Sequence, residues 1–340
     1  MQLPRARGPV GSALIKALET NDLEVTFEPV RLLLDAALAD GDILYDDDLQ
    51  LTLFMLYELH YSGFEGISDR WEWHPPLLTV RGRLEDFFEA RLREGAGNIP
   101  AVEPRAHVVA EALFDMAKDN GGPSVATFVA RHASMEQTKE FLIHKSVYQL
   151  KEADPHTWAI PRLTGRAKSA MVEIQTDEYG GGRPGQMHSE LFARTMEGLD
   201  LDSTFGAYID QVPAISLASV NAMSLFGLHR RFRGAICGHL AIYEMTSSIP
   251  NARYARGFRR LGFKAPVTDY FDEHVEADAA HEQIAGRDLA GGLIEHDPNI
   301  SESVFFGAAA VCFLDELVGR WQLSAWEQDR SSLRESLVQA

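Results

Sequence analysis

Residues 272–283 read "DEHVEADAAHEQ", and how this run is read decides the architecture of the chain. His274, Asp278 and His281 fall at i, i+4 and i+7, which on a helix sets all three along one stripe. An acidic helix face is ordinarily just solvated. Two imidazoles and a carboxylate in one stripe are also one wall of a metal site, so the decision rests on what other elements can bring opposite it.

Outward from that run, the chain is patterned for helices. "VRLLLDAALADGDI" (30–43), "LQLTLFMLYELHYSGF" (49–64) and "GRLEDFFEARLRE" (82–94) carry apolar residues at spacings of three and four rather than in alternation. "EGAGNIPAVEP" (94–104) interrupts the pattern with Gly, Asn and Pro, and further helical segments follow it. The reading is an all-α helical bundle over residues 101–340, preceded by a small N-terminal helical unit over 1–100. Residues such as "LTLFMLYELHY" (51–61) offer more apolar surface than so small a unit can hide, which predicts burial against a partner chain in a homodimer.

At 340 residues and 45% apolar composition the chain can form a large core. Fifty acidic against 32 basic residues give a formal charge of −18, which speaks against nucleic acid or an anionic membrane surface as partner. No secretory leader or long uncharged apolar run is visible. Cys237 and Cys312 both sit in apolar segments, as expected for reduced thiols in a cytoplasmic protein. The phosphate-binding and nucleophile-elbow glycine motifs are absent, so nucleotide binding and serine hydrolysis have no support.

Two other segments offer carboxylates. Residues 214–248 are apolar nearly all round, with Gly227, Gly234 and Gly238 expected to weaken or kink the helix, and Glu244 stands inside them. A buried carboxylate needs an ion pair, a proton or a metal, and Arg230, Arg231 or Arg233 are the alternative partners. In "EIQTDEYGGGRPGQMHSELF" (173–192), Glu178 and His188 are ten residues apart. Ten helical residues rotate by about 1000°, which points the two in different directions. Three glycines and Pro184 must break the helix between them, so His188 can return to the same side; Asp177 remains the rival carboxylate. Carboxylates and imidazoles converging from several helices are the ligand set of a di-iron or di-manganese site. The HExxH spacing of zinc hydrolases is missing.

"EADPHTWAIPRL" (152–163), "EIQTDEYGGGRPGQMH" (173–188), "GHLAIYEMTSS" (238–248) and "DEHVEADAAHEQ", in this order, resemble the haem-oxygenase-like di-iron oxidases and oxygenases over roughly residues 101–320. The resemblance implies a seven-helix bundle holding two Fe ions (Fe2+/Fe3+) through Glu178, His188, Glu244, His274, Asp278 and His281. O2 would be the cosubstrate, with electrons from an external donor. The chain is most similar to the N-oxygenase branch, whose extra carboxylate is matched by Glu152 and whose N-terminal dimerisation unit is matched by residues 1–100. Nothing here resembles the additional C-terminal cupin of one such enzyme. The implied activity is biosynthetic oxygenation of an amine or guanidine nitrogen in a small amino-acid-derived molecule. Oxidative C–C cleavage, decarboxylation or desaturation of an amino or fatty acid by the same site is the alternative. A non-catalytic metal- or ligand-binding helical protein is the other. No residue is singled out as a general acid or base.

Overall fold

A computed structural model describes residues 1–39, 41–118 and 124–334, with the backbone alone at 276–279. Among the described residues every regular element is helical. The N-terminal helices are α1 (Pro9–Glu19), α2 (Glu28–Ala37), α3 (Asp47–Glu58) and α4 (Pro75–Ala96). The next group is α5 (Ala106–Lys118), α6 (Val125–Arg131), α7 (Met135–Gln149), the single turn α8 (Asp154–Thr157), α9 (Gly165–Glu178) and α10 (His188–Glu197). The remainder is α11 (Ala214–Leu228), α12 (Arg233–Arg260), α13 (Asp269–Gln283), α14 (Gly292–His296) and α15 (Ser301–Trp326). Between α13 and α14 the chain winds as a π-helix, Ile284–Gly291, a wider turn that the apolar pattern of this stretch does not announce.

The apolar stretch from Ala214 is two helices rather than one. The break falls at 229–232, just past Gly227, where a side-chain carbon would sit 2.3 Å from the Pro155 carbonyl oxygen. Gly234 and Gly238 do not kink α12. They let it touch α15: a Cβ on Gly238 would lie 1.9 Å from the Val304 carbonyl oxygen, and one on Gly307 would lie 1.9 Å from that of Ala235. Two backbones this close leave no room for side chains between them. Nor does Pro250 end the helix. α12 runs on to Arg260, missing only the N–H that proline cannot give to the carbonyl one turn earlier, and the residues around it line a cavity.

The N-terminal helices lie against the rest of the chain, α3 on α11 and α4 on α15. Leu51, Leu53, Phe54, Met55, Leu56 and Tyr57 are all buried. The stripe expected to need a partner chain is therefore covered within this chain, by α1, α4 and α11. A buried ion pair ties α3 to the end of α7: Lys151 Nζ is 2.9 Å from Glu58 Oε2, with Lys151 also 4.2 Å from the centre of the Tyr61 ring.

The α12–α15 contact yields a prediction of definite sign. Gly→Ala inside an exposed helix normally stabilises, by roughly 0.5–1 kcal/mol. Gly238→Ala should instead destabilise, by about 1–3 kcal/mol or more, because the backbones must part. A urea midpoint lower than wild type is the expected result.

Candidate metal centre

Four helices converge on one buried spot. α9 ends at Glu178; Gly180, Gly181, Gly182 and Gly185 then take positive φ, and α10 starts at His188 itself. A residue with a Cβ pays heavily for that conformation, which is why the turn is written in glycine. At Gly180 a side chain would also strike the Gln186 backbone at 2.5 Å. The reversal puts His188 Nδ1 3.0 Å from Glu178 Oε2, with both residues buried. The chain break read from "GGGRPG" thus does what the pairing of these two residues requires.

Glu152 arrives from the turn after α7. Its Oε1 accepts a 3.0 Å hydrogen bond from the Tyr270 hydroxyl and lies 3.7 Å from His274 Nε2. Among the described residues no donor reaches its Oε2. The next residue, Ala153, is left-handed at φ +76°, a conformation that costs an alanine about 1–2 kcal/mol. Gln175 of α9 holds it there, donating from Nε2 to the Ala153 carbonyl at 2.9 Å.

α13 supplies the two histidines of the opening motif. His274 Nδ1 is 2.7 Å from the Tyr270 carbonyl, so Nδ1–H donates to it and turns Nε2 toward Glu152, the kind of contact that orients metal-binding histidines. His281 Nδ1 is 3.5 Å from Glu244 Oε2, while its Nε2 is 2.9 Å from Asp177 Oδ2. Asp177, the rival to Glu178, is mostly exposed and sits behind His281 as an orienting partner. Glu244 faces His281 rather than an arginine: Arg231 pairs with Glu89, and Arg233 with Asp297 at 3.4 Å. The Asp278 side chain lies outside the described residues, although α13 runs through that position.

Six of the seven expected residues are thereby brought together, in two groups. Glu152, Glu178, His188 and His274 each offer an atom within 4.8 Å of the others; Glu178, Glu244 and His281 do the same. Glu178 belongs to both. Burial alone would push its carboxyl up, but the positive charge of His188, supported by His274 and His281, holds it below the usual carboxylate range. Burial likewise works against charge on His281, and Glu244 overcomes it, raising the imidazole to about 9. The carboxylates thus hold positive charge between them, and a divalent cation would supply it in place of protons.

The reading of the sequence missed the groups that hold these side chains: Tyr270, Gln175 and the Lys151–Glu58 pair. The only local signal of Tyr270, Gln175 and Lys151 is nearness to a candidate ligand in the chain, and Glu58 has none. It also missed a buried pair of histidines, His156 Nε2 to His239 Nδ1 at 3.2 Å, although His156 lies within the quoted "EADPHTWAIPRL". Burial pushes His156 down to about 4 and His239 further below its usual range, so both are neutral.

The family model described as iron-containing redox enzyme matches residues 139–316, more than half of the chain and all seven expected positions. The chain belongs to this family. It is an oxidoreductase of the haem-oxygenase-like helical type. A curated relative is the nitrosourea synthase of Streptomyces achromogenes subsp. streptozoticus, 31% identical over 147 residues. The alignment covers 43% of this chain and 31% of that protein, so the chain spans about a third of the length of the curated relative it matches. No helix among the described residues is long and apolar enough to cross a membrane.

The electrostatics can be checked without metal. In chelator-treated protein, NMR titration should find His281 charged up to about pH 9. Glu244→Gln removes the main source of that rise and leaves burial, which acts downward, so the His281 transition should fall by more than one pH unit (about 1.4 kcal/mol per unit). An unmoved transition would contradict the pairing.

Proposed function

We propose that the chain is a non-haem di-iron, O2-consuming oxidoreductase that oxygenates an amine or guanidine nitrogen of a small amino-acid-derived molecule. One iron would be held by Glu152, Glu178, His188 and His274, the other by Glu178, Glu244 and His281 with Asp278. The observation that carries this reading is the sharing of Glu178 between two buried groups. A donor set of carboxylate oxygens and imidazole nitrogens suits divalent iron, and there are more donors than one ion can use. The choice of nitrogen is supported by the relative, whose name specifies a product with an N–N=O group.

Two ferrous ions supply, when bound, the O2-activating redox chemistry that no side chain can. Oxygenation of an N–H takes O2, two electrons and two protons, and gives N–OH and water; the two electrons come from an external donor. The chain's own residues hold and shield the place where this happens. Tyr270 fixes Glu152 by its hydroxyl and His274 by its carbonyl. Asp177 fixes His281 from behind. Gln175 holds the strained turn that carries Glu152. Phe192, packed edge-on against Tyr270 at 5.1 Å between ring centres, forms with it an apolar part of the cavity wall. That cavity, of about 760 Å³ and also lined by Glu152, Glu178, Glu244 and His274, gives a substrate room beside the carboxylates.

Loading with Fe(II) without oxygen should give about two irons per chain, as in other di-iron carboxylate bundles, and His281→Ala should hold about one. Tyr270→Phe keeps every donor yet should weaken iron binding roughly 10–100-fold, the usual effect of losing an orienting partner. With a reductant and isotopically labelled O2, a mass-spectrometric screen of amines and amino acids should find label on nitrogen. Label only on carbon, or chain-shortened products, would move the assignment to oxidative cleavage, decarboxylation or desaturation. Absence of O2 uptake with every substrate would leave a metal-binding protein without turnover.

A further inference from the structure

Charge is spread unevenly along this acidic chain. "MTSSIPNARYARGFRRLGFK" (245–264) holds Arg253, Arg256, Arg259, Arg260 and Lys264 and no acidic residue. All five are exposed, on the second half of α12 and just past its end. Arg253, Arg256 and Arg260 fall at i, i+3 and i+7, one stripe of the helix. α6 lies beside that stripe: Arg253 reaches Thr127 Oγ1 at 3.2 Å, and Arg260 donates to the carbonyls of Val129 and Ala133 at 3.2 and 2.6 Å. α6 adds the exposed Arg131 and has no acidic residue either. The neighbouring α13 neutralises one of these charges, Arg259, through Asp272. Among the described residues Arg131, Arg256 and Lys264 take part in no ion pair. A basic surface is thus left on a chain whose formal charge is −18.

Behind this surface stands a run of packed rings. Tyr254, between Arg253 and Arg256 in the chain and half-buried, has its ring centre 5.8 Å from that of Phe271; Phe271 is 5.3 Å from Tyr270, and Tyr270 is 4.4 Å from His274. The Tyr270 hydroxyl also bonds to Glu152. Aromatic contacts therefore lead from the basic stripe to two candidate iron ligands, each at the separation of packed rings. The oxygenation consumes two electrons from an external donor, which must dock within reach of the metal. Two acidic proteins repel unless one offers a patch of opposite charge, and such a patch also sets the orientation of the encounter. The overall charge disfavours nucleic acid, the other usual partner of an arginine stripe. A ligand set rich in carboxylate favours ferric iron, so the donor must be of low potential, as small iron–sulfur proteins are. We propose that the face of α12 and α6 carrying Arg131, Arg253, Arg256, Arg260 and Lys264 docks an acidic iron–sulfur protein of the ferredoxin type, whose electrons enter at Tyr254 and pass by Phe271 and Tyr270 to the metal. The rings serve as a packed medium and none is itself oxidised. Each ferredoxin gives up one electron, so two dockings return two ferric ions to the ferrous state. The inference rests on the di-iron reading and adds the partner of that site.

Docking and electron entry are measured separately. Oxidised plant-type ferredoxin, titrated calorimetrically into the iron-loaded full chain, should bind, and raising the salt should weaken it about ten-fold or more. Arg131→Glu combined with Arg256→Glu should weaken it about ten-fold or more at low salt, and Arg256→Lys should bind as wild type does, with iron content and thermal midpoint unchanged in all three. In anaerobic stopped flow, reduced ferredoxin should bleach the ferric absorbance. At saturating ferredoxin Tyr254→Leu should slow the bleaching about ten-fold or more without weakening docking, whereas Tyr254→Phe, which keeps the ring, should leave it near the wild-type rate. If Tyr254→Leu does not fold, Tyr254→Met serves the same purpose. Absence of binding, binding indifferent to the charge reversal, or bleaching at the wild-type rate in Tyr254→Leu would each overturn the proposal. Dithionite, which needs no docking surface, separates this inference from the reading beneath it. Iron reduced by dithionite but not by ferredoxin overturns the docking and leaves the di-iron reading standing. Iron reduced by neither overturns the di-iron reading, and the docking with it.

Discussion

The structure turns on one carboxylate. Glu178 is the last residue of α9 and the one side chain common to both buried groups, so the distance between those groups is set by where α9 stops. Everything near it serves that stop. The glycine turn after it reverses the chain without the cost that a Cβ would impose, and the reversal returns His188 to within 3.0 Å. Three imidazoles, His188, His274 and His281, then hold the carboxyl ionised against the push of burial. A carboxylate placed in a helical core without such neighbours would take up a proton or unfold its surroundings.

A second constraint is the closeness of α12 and α15. Glycine at 238 and 307 lets the two backbones touch, and α12 also carries Glu244 into the core while α13 packs along it. α15 brings Asp315 to the cavity on its other side. The tight seam therefore fixes, through packed helices, both the wall that carries Glu244 and the stretch of cavity wall that carries Asp315.

Much of this was legible in the sequence. The i, i+4, i+7 stripe on α13, the broken helix between Glu178 and His188, and the isolated Glu244 all follow from periodicity and from the cost of burying charge. Other features were not. Asp177 and Glu178 are neighbours of one chemical type, and only the end of α9 decides which points inward and which stands behind His281. The glycines of α12 read as weak points because their partners, Val304 and the helix around Gly307, lie more than sixty residues further on. Pro250 lies inside α12, where one missing hydrogen bond beside a cavity does not outweigh the packing of the helix on its neighbours. The apolar N-terminal stripe cannot say whether its cover comes from the same chain or another; here α1, α4 and α11 provide it. Lys145 and Asp315 are 170 residues apart, and nothing local marks them as sharing a cavity.

The central claim, that Glu178 joins two metal positions, is tested most directly by anomalous diffraction from crystals of the chain loaded with Fe(II) in the absence of oxygen. The account predicts two iron peaks with the Glu178 carboxylate between them, one against Glu152, His188 and His274 and the other against Glu244 and His281. A single peak, or two peaks of which one makes no contact with Glu178, would contradict it.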